Sequence, residues 1–258
     1  MNDPHGITAV VLAGTRPGGD PLAQAAGVSH KALIPIAGVP MLQRVLSALA
    51  ATPQVRRIVV VIDAPQVVES LPACGKPVSI LAAASGPSAS VAQALAAEGA
   101  PLLVTTADHA LLSPQWVGEF LDADDGRSDV LVALARRQAV EAAVPGSVRT
   151  WLRFADGHYS GCNLFLLRTP AASRVVALWQ QLEADRKRPV AMLSRLGFLY
   201  ALRYRCGWLT LGQALQRLGH LSRARISQVE LREGLAAVDV DKMDDLKLVR
   251  SLLGERPA

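Results

Sequence analysis

Ile7-Thr8-Ala9-Val10-Val11-Leu12-Ala13-Gly14-Thr15-Arg16-Pro17-Gly18-Gly19, residues 7–19, decides how this chain is read. A short apolar run, rich in β-branched residues, stops at Ala13-Gly14, which is the pattern of a buried strand entering a loop. Glycines at that place let backbone N–H groups come close to a phosphate chain. The segment matches neither Gly-x-Gly-x-x-Gly nor the P-loop pattern, so a dinucleotide-binding fold of that type and a P-loop ATPase are both disfavoured. Taken alone, it fits a tight strand-to-loop turn as well as a phosphate site.

Outward from this strand, Thr15 to His30 is rich in Gly and Pro and has no period. Pro40 to Ala51 then opens with proline and sets Met41, Leu42, Val45, Leu46 and Leu49 on one face of a helix. Arg57 to Ile62 and Val78 to Leu81 read as strands around a weak helix, Gln66 to Leu71. Ser88 to Ala97 reads as a helix with an N-cap serine, followed by a strand, Leu102 to Thr106, that ends at Ala107-Asp108. Pro114 to Leu121 is expected to be a helix, with Val130 to Leu134 and Gly161 to Leu167 as strands. The stretch Ala171 to Gly219 is helical in pattern. Ile226 to Leu231 and Leu235 to Val240 are expected to close the sheet, with Asp244 capping a last helix to Leu253. This alternation gives an α/β fold with a mostly parallel, mixed sheet flanked by helices, in which ligands gather at the carboxyl ends of the strands.

The 258 residues suit one domain spanning 1–258. With 50% hydrophobic and 19% charged residues, the chain is expected to fold fully apart from its ends. No apolar run reaches the roughly 18 residues a membrane span needs, and the start lacks the regions of a signal peptide, so a cytoplasmic location is expected. The three cysteines fit no metal or redox spacing and are expected to be buried or half-buried thiols. The net charge of +5 is compatible with anionic partners, but aromatics are only 4% and the bases are spread out, which disfavours nucleic acid. The tight cluster Arg186-Lys187-Arg188 fits a solvated helix end or a site for an acceptor phosphate.

His30-Lys31-Ala32-Leu33-Ile34-Pro35-Ile36-Ala37-Gly38-Val39-Pro40-Met41-Leu42 places one of only five lysines between the glycine loop and the helix. Here the sequence resembles the MobA-like and sugar-phosphate nucleotidyltransferases, a superfamily whose signature runs Leu-Ala-Gly-Gly-x-Gly-x-Arg, Pro-Lys-x-Leu, Gly-x-Pro-Met-Leu. The matches are Leu12-Ala13-Gly14, Arg16, Lys31-Ala32-Leu33 and Gly38-Val39-Pro40-Met41-Leu42. Thr15 and His30 depart from the pattern, and the loop between Arg16 and Lys31 is longer than in many members.

The resemblance implies a Rossmann-like nucleotide-diphospho-sugar transferase (GT-A-like) fold, with 1–110 as the nucleotide-binding half and 111–258 as the acceptor-binding half and closing metal-site segment, and a Mg2+-dependent reaction between a nucleoside triphosphate and a small phosphorylated acceptor, either a sugar phosphate or a pterin. It implies that Leu12, Ala13, Gly14, Thr15, Arg16 and Lys31 hold the triphosphate, with Lys31 and Arg16 acting in catalysis. Asp108 falls where the family places its first metal-binding acid. Val238-Asp239-Val240-Asp241-Lys242-Met243-Asp244-Asp245-Leu246 resembles the closing segment, which assigns Asp241 to the metal and Asp239 to a supporting place. Ser85, Gly86 and Ser90 lie where relatives contact base and ribose, and equally fit a capped loop. Asn163 fits either a bond to an acceptor hydroxyl or a turn, with Arg186 and Arg188 as further acceptor contacts. His109 is a candidate to orient Asp108. A glycosyltransferase of the same fold is the competing class; it would carry an acid pair after the central strand and would not need Lys31.

Overall fold

The computed structural model describes residues 6–15, 18–147, 149–185, 188 and 195–255. Its strands, in chain order, are β1 (Ile7–Leu12), β2 (Pro35–Ile36), β3 (Val39–Pro40), β4 (Val55–Ile62), β5 (Val78–Ala82), β6 (Leu102–Thr106), β7 (Val130–Arg136), β8 (Leu152–Phe154), β9 (Gly157–Leu167) and β10 (Ile226–Leu231). The main sheet runs β10-β7-β9-β6-β1-β4-β5, with β8 beside β9, and β2 pairs with β3 in a separate hairpin. β1 lies parallel to β4 and β6, and β4 to β5. β9 runs antiparallel between β6 and β7, and β7 is parallel to β10. One reversed strand therefore separates two parallel blocks, the first built from the early part of the chain and the second from the later part.

β1 is apolar on both faces because both are covered. Ala9 and Val11 enter a core with Met41, Leu42, Val45, Leu46 and Leu49 of the helix Met41–Ala51 and with Phe120. Val10 enters the opposite core with Val91, Ala94 and Leu95 of the helix Pro87–Glu98 and Val176 of the helix Ala172–Ala184. Alternate residues of a strand point to opposite faces, so a continuous apolar run is what a central strand requires. At about 1.5–3 kcal/mol for each fully buried aliphatic side chain, these two layers dominate the stability of the sheet.

Several expectations are corrected. Leu235 to Val240 is not a strand: Gly234–Ala237 forms a 3-10 turn, and the chain then runs extended through Val238 and Val240, which are buried. Gly234 explains the turn, because a Cβ there would meet the Ala139 carbonyl oxygen at 2.2 Å, so only glycine lets the segment lie on the helix Arg137–Ala143. The helical stretch after Ala171 is divided into helices Ala172–Ala184, Phe198–Arg205 and Leu211–Ser222. The helix after β5 is capped at Gly86 rather than Ser88 and starts at Pro87. In the last helix, Met243–Leu252, Asp244 sits in the first turn, and the capping carboxylate is that of Asp245, which accepts from Asp241 N and Lys242 N. All three cysteines are free; Cys162 is buried and Cys74 half-buried, but Cys206 is exposed.

Candidate functional site

Three strand ends and one turn meet at the carboxyl end of the first parallel block. The ladder continues past β1, with Ala13 N donating to Val61 O at 2.9 Å and Ala107 N to Leu12 O at 2.9 Å. Gly14 then passes so close to the loop after β5 that an added Cβ would lie 3.1 Å from that of Ala83. Lys31 opens a 3-10 turn, Lys31–Leu33, that leads into the β2–β3 hairpin, whose Ala37-Gly38 turn has positive φ at both residues.

Lys31 Nζ donates to Asp108 Oδ2 at 2.8 Å and to Asp241 Oδ1 at 3.0 Å. Asp108 follows β6, whereas Asp241 comes from the closing segment far along the chain. Val240 N donates to the Asp108 carbonyl at 3.0 Å, and this backbone bond fixes the two acids side by side. Burial pulls the Lys31 ammonium down, but the charges and hydrogen bonds of Asp108 and Asp241 outweigh it and leave its pKa above the ordinary value. Asp108 Oδ1 is buried and has no hydrogen-bond partner.

Behind this group lies a second one. The Arg149 side chain, 7% exposed, donates from Nη1 to Ala237 O at 2.5 Å and to Asp239 Oδ1 at 3.3 Å. Asn163 Nδ2 donates to Asp239 Oδ2 at 3.1 Å. Asn163 has φ +48, in the left-handed region that Asn tolerates better than most residues, beside the register shift in the β7–β9 pairing. Burial, then the neighbouring charges of Asp241 and Asp108, push the Asp239 carboxyl up, with Arg149 opposing them. Burial, and then the charge of Asp239, pushes the Cys162 thiol up to about 12. His109 is buried and stacks on Trp116 at 6.3 Å between centroids. Burial holds its pKa down to about 4 despite the pull of Asp108, and neither ring nitrogen bonds to the Asp108 carboxylate. His109 thus packs as a neutral ring and does not orient that acid.

The two positions that depart from the family signature bond to each other. His30 Nε2 lies 2.8 Å from Thr15 Oγ1, while His30 Nδ1 accepts from Ala32 N at 3.1 Å and so caps the turn that carries Lys31. Thr15 N donates to Asp63 Oδ1 at 2.9 Å. Burial pushes the Asp63 carboxyl up, but the backbone bond from Thr15 and the His30 contact bring it below its ordinary value. A single buried imidazole therefore ties the glycine loop, the lysine turn and the end of β4 together.

Other candidates are placed differently. Ser90 is buried and its Oγ accepts from Ala84 N at 3.0 Å, so its hydroxyl holds its own loop. Gly86 faces the carboxylate of Glu183, which accepts from Ser88 N at 3.2 Å, and Ser85 is exposed. Arg188 is exposed, and its N–H donates to Asp185 O at 2.7 Å. Arg16 and Arg186 lie outside the described residues. Sequence reasoning missed Asp63 and Arg149. Asp63 follows a buried strand as Asp108 does, which is a usable signal; Arg149, in an irregular stretch, offers none. A broad cleft of about 990 Å³ lined by Asp129, Arg225 and Ile226 opens at the amino ends of β7 and β10, the opposite end of the sheet.

A model of the MobA-like NTP transferase domain matches residues 9–196. Among solved structures, a hypothetical transferase from Thermus thermophilus is 30% identical, with a TM-score of 0.80 over 93% of this chain and 99% of that one. CMP:2-keto-3-deoxy-manno-octonic acid synthetase, solved with CTP, is 18% identical with a TM-score of 0.61, over 97% of this chain and 99% of that one. Rv0371c from Mycobacterium tuberculosis, solved with manganese, is 18% identical with a TM-score of 0.52, over 95% and 98%. At 18% identity the likeness is one of fold. No curated protein matches the chain.

Proposed function

Because this chain belongs to the MobA-like NTP transferase domain family, we propose that it is a magnesium-dependent nucleotidyltransferase that moves the nucleotidyl group of a nucleoside triphosphate onto a small phosphorylated acceptor. The observation that carries this reading is the convergence of Lys31, Asp108 and Asp241 on one point at the carboxyl end of the sheet.

The residues present fit a hard divalent cation. Two carboxylate oxygens from different segments already lie within 3.0 Å of a single ammonium, and Asp108 Oδ1 offers an unpaired lone pair beside them. Asp108 and Asp241 would hold the cation, with phosphate oxygens and water completing its shell, and when bound it neutralises charge on the triphosphate. Lys31 bridges the α-phosphate and the acceptor phosphate. An acceptor phosphate oxygen attacks the α-phosphorus; the bond from that phosphorus to the β-phosphate oxygen breaks, and pyrophosphate leaves with the electron pair. The attacking phosphate is already ionised, so positioning and charge neutralisation suffice without a general base.

The loop Leu12 to Thr15 cradles the phosphates with Arg16. Ala13 N and Thr15 N are engaged by Val61 and Asp63, which leaves the Gly14 N–H as the loop's own donor to a phosphate. Ser85, Gly86 and the loop pinned by Ser90 line the base side. Asn163, Arg186 and Arg188 serve the acceptor side, where a sugar phosphate is the first choice. The glycosyltransferase alternative leaves unexplained a lysine committed to both acids at once.

Pyrophosphate release from each of the four ribonucleoside triphosphates, with magnesium and a panel of sugar phosphates, tests this reading. One triphosphate paired with one acceptor class is expected to release pyrophosphate only when magnesium is present. Transfer from a nucleotide sugar without pyrophosphate release would overturn it.

A further inference from the structure

Thr15 and His30, the two departures from the family signature, form one hydrogen-bonded unit, and the backbone fixes which atom donates within it. Ala32 N donates to His30 Nδ1 at 3.1 Å, the contact by which the ring caps the lysine turn. A ring nitrogen that accepts carries no proton, so the imidazole is neutral and its proton sits on Nε2. His30 is 5% exposed, and Nε2 lies 2.8 Å from Thr15 Oγ1 and 3.5 Å from Asp63 Oδ1. Nε2–H is therefore the donor, and Thr15 Oγ1 the acceptor. A hydroxyl that accepts still has its own proton to give, and the lone pair facing the ring turns that proton away from it. Asp63 takes the backbone N–H of Thr15 at 2.9 Å, and among the described residues none accepts from the hydroxyl.

Thr15 is half-buried, follows Gly14, and is bonded to the residue that precedes Lys31. Its hydroxyl thus stands between the loop's backbone donor and the lysine turn. We propose, resting on the nucleotidyl-transfer reading, that the Thr15 hydroxyl donates to a phosphate oxygen of the bound triphosphate, and that His30 is a positioning residue that aims it. One ring nitrogen sets the hydroxyl, while the other holds the turn that carries Lys31. Asp63 removes one N–H from the loop, and the hydroxyl returns a donor at the same residue. A hydrogen bond to an ionised oxygen is stronger than one between neutral groups, so a donor already turned outward adds directly to affinity.

The test measures the melting temperature of the free chain and, by titration calorimetry, its binding of the magnesium complexes of the four ribonucleoside triphosphates. For the triphosphate that wild type binds best, Thr15→Val is expected to weaken binding about tenfold or more, and Thr15→Ser to bind as wild type does. Thr15→Val also strips the His30 donor of its acceptor, so variants of His30 separate aim from stability. His30→Asn keeps an acceptor at the Nδ1 position and loses the donor to Thr15; it should hold most of the melting temperature yet bind as weakly as Thr15→Val. His30→Gln keeps a donor at the Nε2 position and loses the cap; it should melt lower yet bind close to wild type. Affinity that merely follows melting temperature across these variants would show a role in folding alone and overturn the proposal. Equal affinity in wild type and Thr15→Val would overturn it while leaving the nucleotidyl-transfer reading intact. A wild-type chain that binds none of the four triphosphates would overturn both.

Discussion

Asp239 and Asp241 stand two residues apart on the same extended segment, with Val238 before them and Val240 between them turned into the core, yet they meet different partners. Asp241 lies at the outer layer, 67% exposed, sharing the Lys31 ammonium with Asp108. Asp239 lies deeper, enclosed by Arg149 and Asn163, with its carboxyl pushed up by burial. With an unpaired Asp108 oxygen and an exposed Asp241, the outer group can exchange its internal ion pairs for a cation and a triphosphate. The inner group is built to stay as it is. Exposure alone does not separate the two sets, since Lys31 and Asp108 are 18% and 21% exposed and Asp239 30%; what differs is that Asp108 keeps an unpaired oxygen whereas both oxygens of Asp239 are taken, by Arg149 and Asn163.

Lys31→Ala probes the outer layer most severely. It should lower turnover about 100-fold or more, close to 2.7 kcal/mol of barrier, measured as pyrophosphate release, with little change in melting temperature. Arg149→Ala should do the reverse. Leaving Asp239 without its cation should cost about 2–3 kcal/mol in denaturant unfolding, and Asp239→Asn in the same chain should restore part of it. If Arg149→Ala cut turnover without a loss of stability, the division into two layers would fail. Gly234→Ala tests how the segment bearing both acids is seated: with a carbonyl oxygen 2.2 Å from the new Cβ, a loss of about 1–3 kcal/mol is expected, together with reduced turnover.

The His30 tie gives a smaller and more selective effect. His30→Ala should cost about 1 kcal/mol through the lost cap on the lysine turn, whereas His30→Asn keeps an acceptor for Ala32 N and should recover most of it. A denaturation series in which Asn is no better than Ala would show that the cap is not the cause. Asp63 gives the smallest change. Its folded pKa lies below the unfolded 3.8, so its contribution is complete above that value and is lost as pH falls through the folded one. The gap in melting temperature between wild type and Asp63→Ala should therefore close on acidification below about pH 4.

The strands β1, β4, β5 and β6 and the helices between them from Met41 on were legible because apolar periodicity and Gly/Pro punctuation are local properties, whereas the short helix Pro21–Ala25 and the β2–β3 hairpin lie in stretches with no such period. Asp108 and Asp63 were accessible to the same logic, each being an acid after a buried strand, although only Asp108 was recognised. The stretch Leu235 to Val240 misled because an apolar run with β-branched residues has the same pattern whether or not a neighbouring strand pairs with it. The exposure of Phe198 and Leu199 on the helix Phe198–Arg205 was hidden for a related reason: apolar spacing identifies a helix but does not say whether anything covers it.

By itself, the sequence determined the central β1 and the glycine loop, which follow from side-chain type and short spacing, while Lys31, Asp108 and Asp241 were singled out by the resemblance of their segments to a family signature. Only the tertiary structure decided that Val240 N bonds to the Asp108 carbonyl, that Gly234 lets the closing segment seat against its neighbouring helix, and that His30 pairs with Thr15. Those contacts join residues far apart along the chain, and their energies depend on packing distance and exclusion of water, which no local pattern encodes.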